Sequence, residues 1–233
     1  MKKHSKSFLL KISKTKALLI FVLTVFFGFG CAEKQAPTKQ PNIIYIMADD
    51  LGYGDLSCYG QEKFETPNID RLAEEGMKFT NFYSGSTVCA PSRSALMTGL
   101  HTGHTPIRGN KEFKPEGQMP MPKSTKTIAH LLKKAGYTNG IVGKWGLGYP
   151  GSGSEPLDMG FDYFFGENCQ RHAHQYFTNS LWENNAKVEY DTPIYSHDAI
   201  TEKGINFIQE NKEKPFFLYI AYAIPHAELR IHE

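Results

Sequence analysis

Cys89 stands two residues before Pro91 and four before Arg93 in the stretch STVCAPSRSALMTG. Pro91 suits a first helical turn, so the spacing predicts a helix that opens at Cys89. Such an end presents unpaired N–H groups and the positive pole of the helix dipole, a cradle for a sulfate or phosphate ester. Arg93 adds a permanently charged planar fork matched to an oxyanion. The same dipole makes a thiol more acidic, so a nucleophilic or modified cysteine fits here better than a disulfide partner. Asp49 and Asp50 end the apolar run NIIYIMADD. Adjacent carboxylates are hard donors for Ca²⁺ or Mg²⁺, although such pairs are also common in solvated turns. Lys144 in GKWGLG and His226 in PHAE follow apolar runs as well. CQRHAHQYF offers His172 and His174, which read either as pocket-lining residues or as ordinary surface or core histidines.

Positioning these residues requires strands and helices, and the patterning supplies both. NIIYIMADD is continuously apolar, as suits a buried parallel strand rather than an edge. TPNIDRLAEEG predicts a helix with Thr66 as N-cap, Pro67 at the first position and Gly76 as the stop. Its expected core face is Ile69, Leu72 and Ala73. MKFTNFY alternates and reads as a strand. TKTIAHLLKKAG places Ile128, Leu131, Leu132 and Ala135 on one helical face, closed by Gly136. YTNGIVGKWG reads as a strand with its exit loop, and HDAITEKGINFIQENK as a helix buried through Ile200, Phe207 and Ile208. KPFFLYIAYAIPHA is a further buried strand ending near Pro225 and His226. The segment from Tyr149 to Asp191 has no clear period and is expected to be an insertion that lines something. The alternation predicts an α/β fold, a mostly parallel sheet sandwiched by helices. In such sheets ligands bind beyond the carboxyl ends of strands, where Asp49, Asp50, Lys144 and His226 would fall.

The chain has 233 residues, 40% hydrophobic and 13% aromatic, a composition that supports a folded core. Its first sixteen residues hold six lysines and no acid, followed by the fourteen-residue run ALLIFVLTVFFGFG. That run is shorter than the roughly 20 residues of a spanning helix, so residues 1–30 read as an export signal. The formal charge of +2 is more than accounted for by those lysines, so it gives no argument for a nucleic-acid partner. Cys31, after Gly28-Phe29-Gly30, resembles the lipobox of bacterial lipoproteins. That resemblance implies an acylated Cys31, a membrane lipid anchor, and residence in the periplasm or at the cell surface, with residues 31–41 as a polar tether. With Cys31 lipidated, Cys58, Cys89 and Cys169 remain, an odd count that leaves at least one unpaired.

Cys89-Ala90-Pro91-Ser92-Arg93 resembles the C-x-P-S-R signature of type I sulfatases, of the alkaline-phosphatase-like superfamily. PNIIYIMADDLGYGDLSCYG, TPNIDRLAEEGMKFTNFYS, GYTNGIVGKWGLG and KPFFLYIAYAIPHAE resemble sulfatase segments, in the family's order. The resemblance implies that residues 42–233 form the N-terminal portion of a sulfatase catalytic domain acting on a sulfated carbohydrate or aryl sulfate. It implies that a formylglycine-generating enzyme oxidises Cys89, and that the hydrated aldehyde attacks sulfur and then eliminates sulfate. Asp49, Asp50 and residue 89 would hold Ca²⁺, with Mg²⁺ the lesser fit. Arg93 would stabilise the formylglycine, Lys144 would contact sulfate, and His226 would stand beside the leaving oxygen, with His174 as a further substrate contact. Three departures accompany the match. Gly146 replaces an expected histidine, and Leu100 an expected arginine, with His101, His104 and Arg108 nearby as candidate substitutes. The family's downstream metal ligands and C-terminal subdomain do not follow within the 233 residues. An unpaired sheet edge and apolar faces are expected in consequence. The same cradle also suits a phosphate-ester or phosphonate hydrolase, or a non-catalytic lipid-tethered binder of sulfated glycans.

Overall fold

The computed structural model describes residues 40–226 and 228–230. The export signal and Cys31 lie outside the described residues. Six strands form one sheet in the order β1-β6-β2-β3-β4-β5. They are β1 (Ile43–Ala48), β2 (Thr138–Lys144), β3 (Tyr163–Glu167), β4 (Phe177–Glu183), β5 (Ala186–Tyr195) and β6 (Phe216–Tyr222). β1, β6, β2 and β3 run parallel, and the β4–β5 hairpin extends the sheet antiparallel. The helices are α1 (Pro67–Glu75), α2 (Cys89–Thr98), α3 (Ile128–Lys134), α4 (Gln170–Ala173) and α5 (Ser196–Asn211).

Two apolar clusters cover the two faces of the sheet. Ile141, Phe217 and Tyr219 pack with Ala90 and Met97 of α2, Ala129 of α3, and Trp145. Val142, Leu218 and Ile220 pack with Ile200 and Phe207 of α5. This is the expected α/β sandwich, and the buried face of α5 is the one its periodicity predicts. Register aligns the carboxyl ends: Ala48 pairs with Tyr222, Gly143 with Ala221, and Lys144 with Glu167.

Several expectations are corrected. β1 is parallel as expected, but it is an edge strand, with Ile44 46% and Ile46 58% exposed. MKFTNFY forms no strand, because a strand needs a ladder partner and none meets it among the described residues. α1 has its predicted limits, yet Ile69 and Leu72 are exposed and none of its residues is buried. The Thr66 hydroxyl bonds Ser57 and Asp70 rather than capping the helix backbone. α3 buries Ala129 and, in part, Leu132, while Leu131 is 62% exposed. Residues 149–191 are no mere insertion, since they hold β3, α4, β4 and the start of β5.

Candidate active site

The site is assembled where β1, β2 and the residues after β6 end together. Asp49 follows β1 directly, and its N–H donates to the Ile224 carbonyl at 3.0 Å, tying it to the segment that carries His226. α2 starts at Cys89 and has Pro91 in its first turn, as its sequence predicts. It closes on Gly99, whose left-handed backbone (φ 66°) lets its N–H reach the Ala95 carbonyl. Arg93, one turn along α2, is 1% exposed. Its Nη1 donates to the Lys144 carbonyl at 2.5 Å and to the Tyr219 hydroxyl at 3.3 Å. The helix opening at Cys89 is thereby pinned to the end of β2.

Asp49 is the electrostatic centre. Its Oδ2 makes a direct ion pair with Lys144 Nζ and lies 3.8 Å from Arg93 Nη2. Its Oδ1 lies 3.8 Å from Cys89 Sγ. Burial alone would raise the Asp49 carboxyl, but the His174 hydrogen bond and the charges of Lys144 and Arg93 hold it well below the usual carboxylate range. Lys144 is fully buried. Burial and the Arg93 charge pull its ammonium below the ordinary lysine value, against the opposing pull of Asp49. Lys144 Nζ also lies 2.8 Å from His174 Nε2. The His174 ring stacks on His226 with centroids 3.5 Å apart, and His226 Nε2 lies 3.4 Å from Asp50 Oδ2. The Tyr176 hydroxyl donates to the His226 carbonyl at 2.5 Å. One donor atom each from Cys89, His174 and His226 lies within 4.8 Å of the others.

The structure therefore brings together Asp49, Asp50, Cys89, Arg93, Lys144, His174 and His226. It separates His172, which pairs with Glu116 at 3.2 Å. His101 and His104 face each other, Arg108 donates to the Gly103 carbonyl, and all three are exposed. Among the described residues, none of these three bonds Asp49, Cys89 or Lys144. Gly146 has a reason to be glycine: its backbone is left-handed (φ 70°), and a Cβ there would lie 2.5 Å from the Gln170 amide nitrogen. Sequence reasoning missed Gln170 and Tyr176, and only their place beside His174 in CQRHAHQYF hinted at either. Cys58, Cys89 and Cys169 are all unpaired thiols, so the cysteine at the helix start is no staple.

Asp49, Asp50 and Cys89 line one cavity of about 200 Å³, together with Ser84, Ser86 and Thr87. Two carboxylates lining one cavity suit a hard divalent cation, so on this side the donor set fits one. With one Asp49 oxygen already engaged by Lys144, these residues supply only part of the 6–8 oxygens that Ca²⁺ takes.

The sulfatase family model matches residues 41–230 of the chain. The chain belongs to the sulfatase family. It is 37% identical to an arylsulfatase of Hemicentrotus pulcherrimus over 84% of its own length and 39% of that relative's. It is equally 37% identical to the N-acetylgalactosamine-6-sulfatase of Mus musculus, over 88% of its own length and 44% of the other. This sulfatase chain thus spans about two fifths of the length of these relatives. Among solved structures it resembles Ps i-CgsB, with a TM-score of 0.73 and 33% identity over 84% of this chain and 47% of that one. It also resembles a protein solved with its substrate D-glucosamine-2-N,6-O-disulfate, with a TM-score of 0.66 and 32% identity over 81% of this chain and 35% of that one.

Proposed function

We propose that the protein carrying this sulfatase chain hydrolyses sulfate esters at the cavity between β1 and the start of α2, with residue 89 as the nucleophile. The observation that carries the reading is the convergence of Cys89, Asp49, Lys144 and His226 from four separate segments onto one site. Formylglycine, when made from Cys89 by a formylglycine-generating enzyme, supplies an oxygen nucleophile with an aldehyde exit that a plain thiol lacks. Asp49 and Asp50 would hold a divalent cation, Ca²⁺ by the hardness of the donors, whose charge would polarise a sulfate oxygen.

The chain's own residues do the rest. The N–H groups at the start of α2 receive the sulfate oxygens. Lys144 adds a cation whose place is set by the Arg93 bond to its own carbonyl and by Asp49. His226 gives a proton to the departing alcohol oxygen. The ring of His226 is held by stacking on His174, and its backbone by the Tyr176 hydroxyl. The substrate is a sulfated carbohydrate or an aryl sulfate, in keeping with the names borne by its relatives.

A paired assay with 4-nitrophenyl sulfate and 4-nitrophenyl phosphate tests the reaction class. The expected result is a kcat/KM at least a hundredfold higher for the sulfate. A preference for the phosphate would overturn the proposal in favour of a phosphate-ester hydrolase. The protein is further proposed to be exported and lipid-anchored through Cys31. Incorporation of radioactive palmitate, lost in Cys31→Ala, is expected. Unlabelled protein in the soluble periplasmic fraction would contradict it.

A further inference from the structure

Tyr176 stands between α4 and β4 in a conformation that bulky residues rarely adopt. Its backbone is left-handed, with φ 60°. The Phe177 N–H donates to the Gln175 carbonyl at 2.7 Å, closing a three-residue turn around it. With a positive φ at its centre, such a turn is of the rare and strained kind. Strain of this sort persists only where the surroundings over-determine it, and it gathers at functional sites. Here three groups of contacts hold the residue. The Ser196 N–H, at the start of α5, donates to the Tyr176 carbonyl at 2.7 Å. Tyr176 is 1% exposed, and its ring meets His197 edge-on with centroids 4.8 Å apart and packs with Ala173 and Ala223. The hydroxyl donates to the His226 carbonyl at 2.5 Å.

Ring packing asks for an aromatic residue but not for a hydroxyl. The hydroxyl is spent on one backbone group, in the segment after β6. That segment is gripped at two carbonyls, Ile224 by the Asp49 N–H at 3.0 Å and His226 by Tyr176. The same backbone carries the imidazole that stacks on His174 and faces Asp50. Burial pushes the Tyr176 phenol up, so its hydroxyl keeps its proton and stays a donor. Removing that donor loosens the His226 backbone while the ring of residue 176 keeps its place. A misplacement of about 1 Å between reacting groups is enough to slow a reaction strongly.

We infer that Tyr176 is a positioning residue whose hydroxyl sets where His226 meets the departing alcohol oxygen. The inference rests on the reading of His226 as the proton donor in sulfate-ester hydrolysis. It specifies which substrates feel the loss. A weakly basic leaving group departs with little help from a proton, whereas one as basic as a tyrosine phenolate, with a pKa of about 10, needs that help. Damage confined to the acid therefore grows with the basicity of the leaving group. A damaged fold slows every substrate alike.

The test compares 4-nitrophenyl sulfate, with a weakly basic leaving group, and 4-methylphenyl sulfate, with a strongly basic one. The enzyme is the full-length gene product made with a formylglycine-generating enzyme. The quantity read is kcat/KM, which reports the step that breaks the ester bond. Its ratio between the two substrates does not depend on how much of a variant folds. Tyr176→Phe is expected to lower kcat/KM for 4-methylphenyl sulfate about tenfold more than for 4-nitrophenyl sulfate. His226→Ala is expected to show the same pattern, by about a hundredfold. Tyr176→4-aminophenylalanine keeps a donor on the ring and is expected to return the ratio to within about threefold of the unsubstituted enzyme. Equal losses for both substrates in Tyr176→Phe, or no loss for either, would overturn the inference while His226→Ala still showed the pattern. Equal losses in His226→Ala, or no sulfate release by the unsubstituted enzyme, would instead overturn the reading on which the inference rests.

Discussion

At the scale of single residues, Arg93 shows how α2 is tied to its sheet. Its guanidinium is buried, and two of its nitrogens, Nε and Nη2, lack a hydrogen bond, yet Nη1 holds the Lys144 carbonyl and the Tyr219 hydroxyl. A lysine carries the charge but not the planar fork. Arg93→Lys is expected to cost about 2–3 kcal/mol of stability and at least a hundredfold in kcat/KM, read by urea titration and by turnover. A variant with both quantities intact would show that the bond to Lys144 is dispensable.

His197 gives a second test at this scale. It is 3% exposed and its Nε2 is unpaired. The rings of Tyr176, Tyr195 and Tyr222 surround it, with Ser196 and Asp198 beside it. Burial, opposed only weakly by Asp198, lowers its pKa from 6.5 to about 4. The unfolded chain therefore takes up a proton near pH 6.5 that the folded chain refuses until about pH 4, so stability is lost as pH falls through that window. The loss is on the order of 3 kcal/mol. His197→Phe removes the titration, and its melting temperature is expected to fall less between pH 7 and pH 5 than that of the unsubstituted chain. Parallel falls would contradict the account.

At the scale of elements, the parallel core of the sheet is held close by glycines. Gly143 has φ 99°, and a Cβ there would lie 2.2 Å from the Ala221 carbonyl oxygen of β6. Gly166, its partner in β3, would bring a Cβ within 2.0 Å of the Gly143 carbonyl oxygen. These obstacles are backbone atoms, which cannot swing aside. Gly143→Ala is expected to cost more than about 3 kcal/mol. Leu72→Gln, on the solvent-facing α1, is expected to change stability by less than about 0.5 kcal/mol. Denaturant titration of the two variants checks the contrast, and a large loss at Leu72 would mean that α1 packs against the core after all.

The same elements show what was legible in the sequence. β1, β2, β6 and α5 could be read because apolar runs or a clean helical period mark them, and α2 because Pro91 marks its first turn. Asp49, Lys144 and His226 could then be placed at strand ends by topology alone. β3, β4 and β5 were hidden because Tyr149 to Asp191 mixes glycine, asparagine and aromatics without alternation, and β3 is buried through Phe164, Phe165 and Gly166. Tertiary pairing, not local pattern, makes those strands. The reverse failure is MKFTNFY, whose alternation is clear but which finds no ladder partner among the described residues. Gln170 was invisible for a third reason: its meaning lies in its contact with Gly146, residues far apart in the chain.

At the scale of the whole molecule, one side of the sheet is left open. β1 exposes Ile44 and Ile46, and in the segment after α1 Met77, Phe79, Phe82 and Tyr83 are each more than half exposed. Unpaired edges and exposed apolar surface drive association. The expected outcome is that this chain self-associates at micromolar concentration, and that Ile44→Lys with Ile46→Lys lowers its apparent mass in light scattering. A chain that is already monomeric would show that this face is covered in solution.

All three scales meet in residue 89, placed by α2 and lining one cavity with Asp49 and Asp50. The most direct test is the rate of inorganic sulfate release from 4-nitrophenyl sulfate by the full-length gene product made with a formylglycine-generating enzyme. The account predicts steady turnover that Cys89→Ala abolishes, with the circular dichroism of the variant unchanged. Sulfate release that persists in Cys89→Ala would contradict it, because the nucleophile would then lie elsewhere.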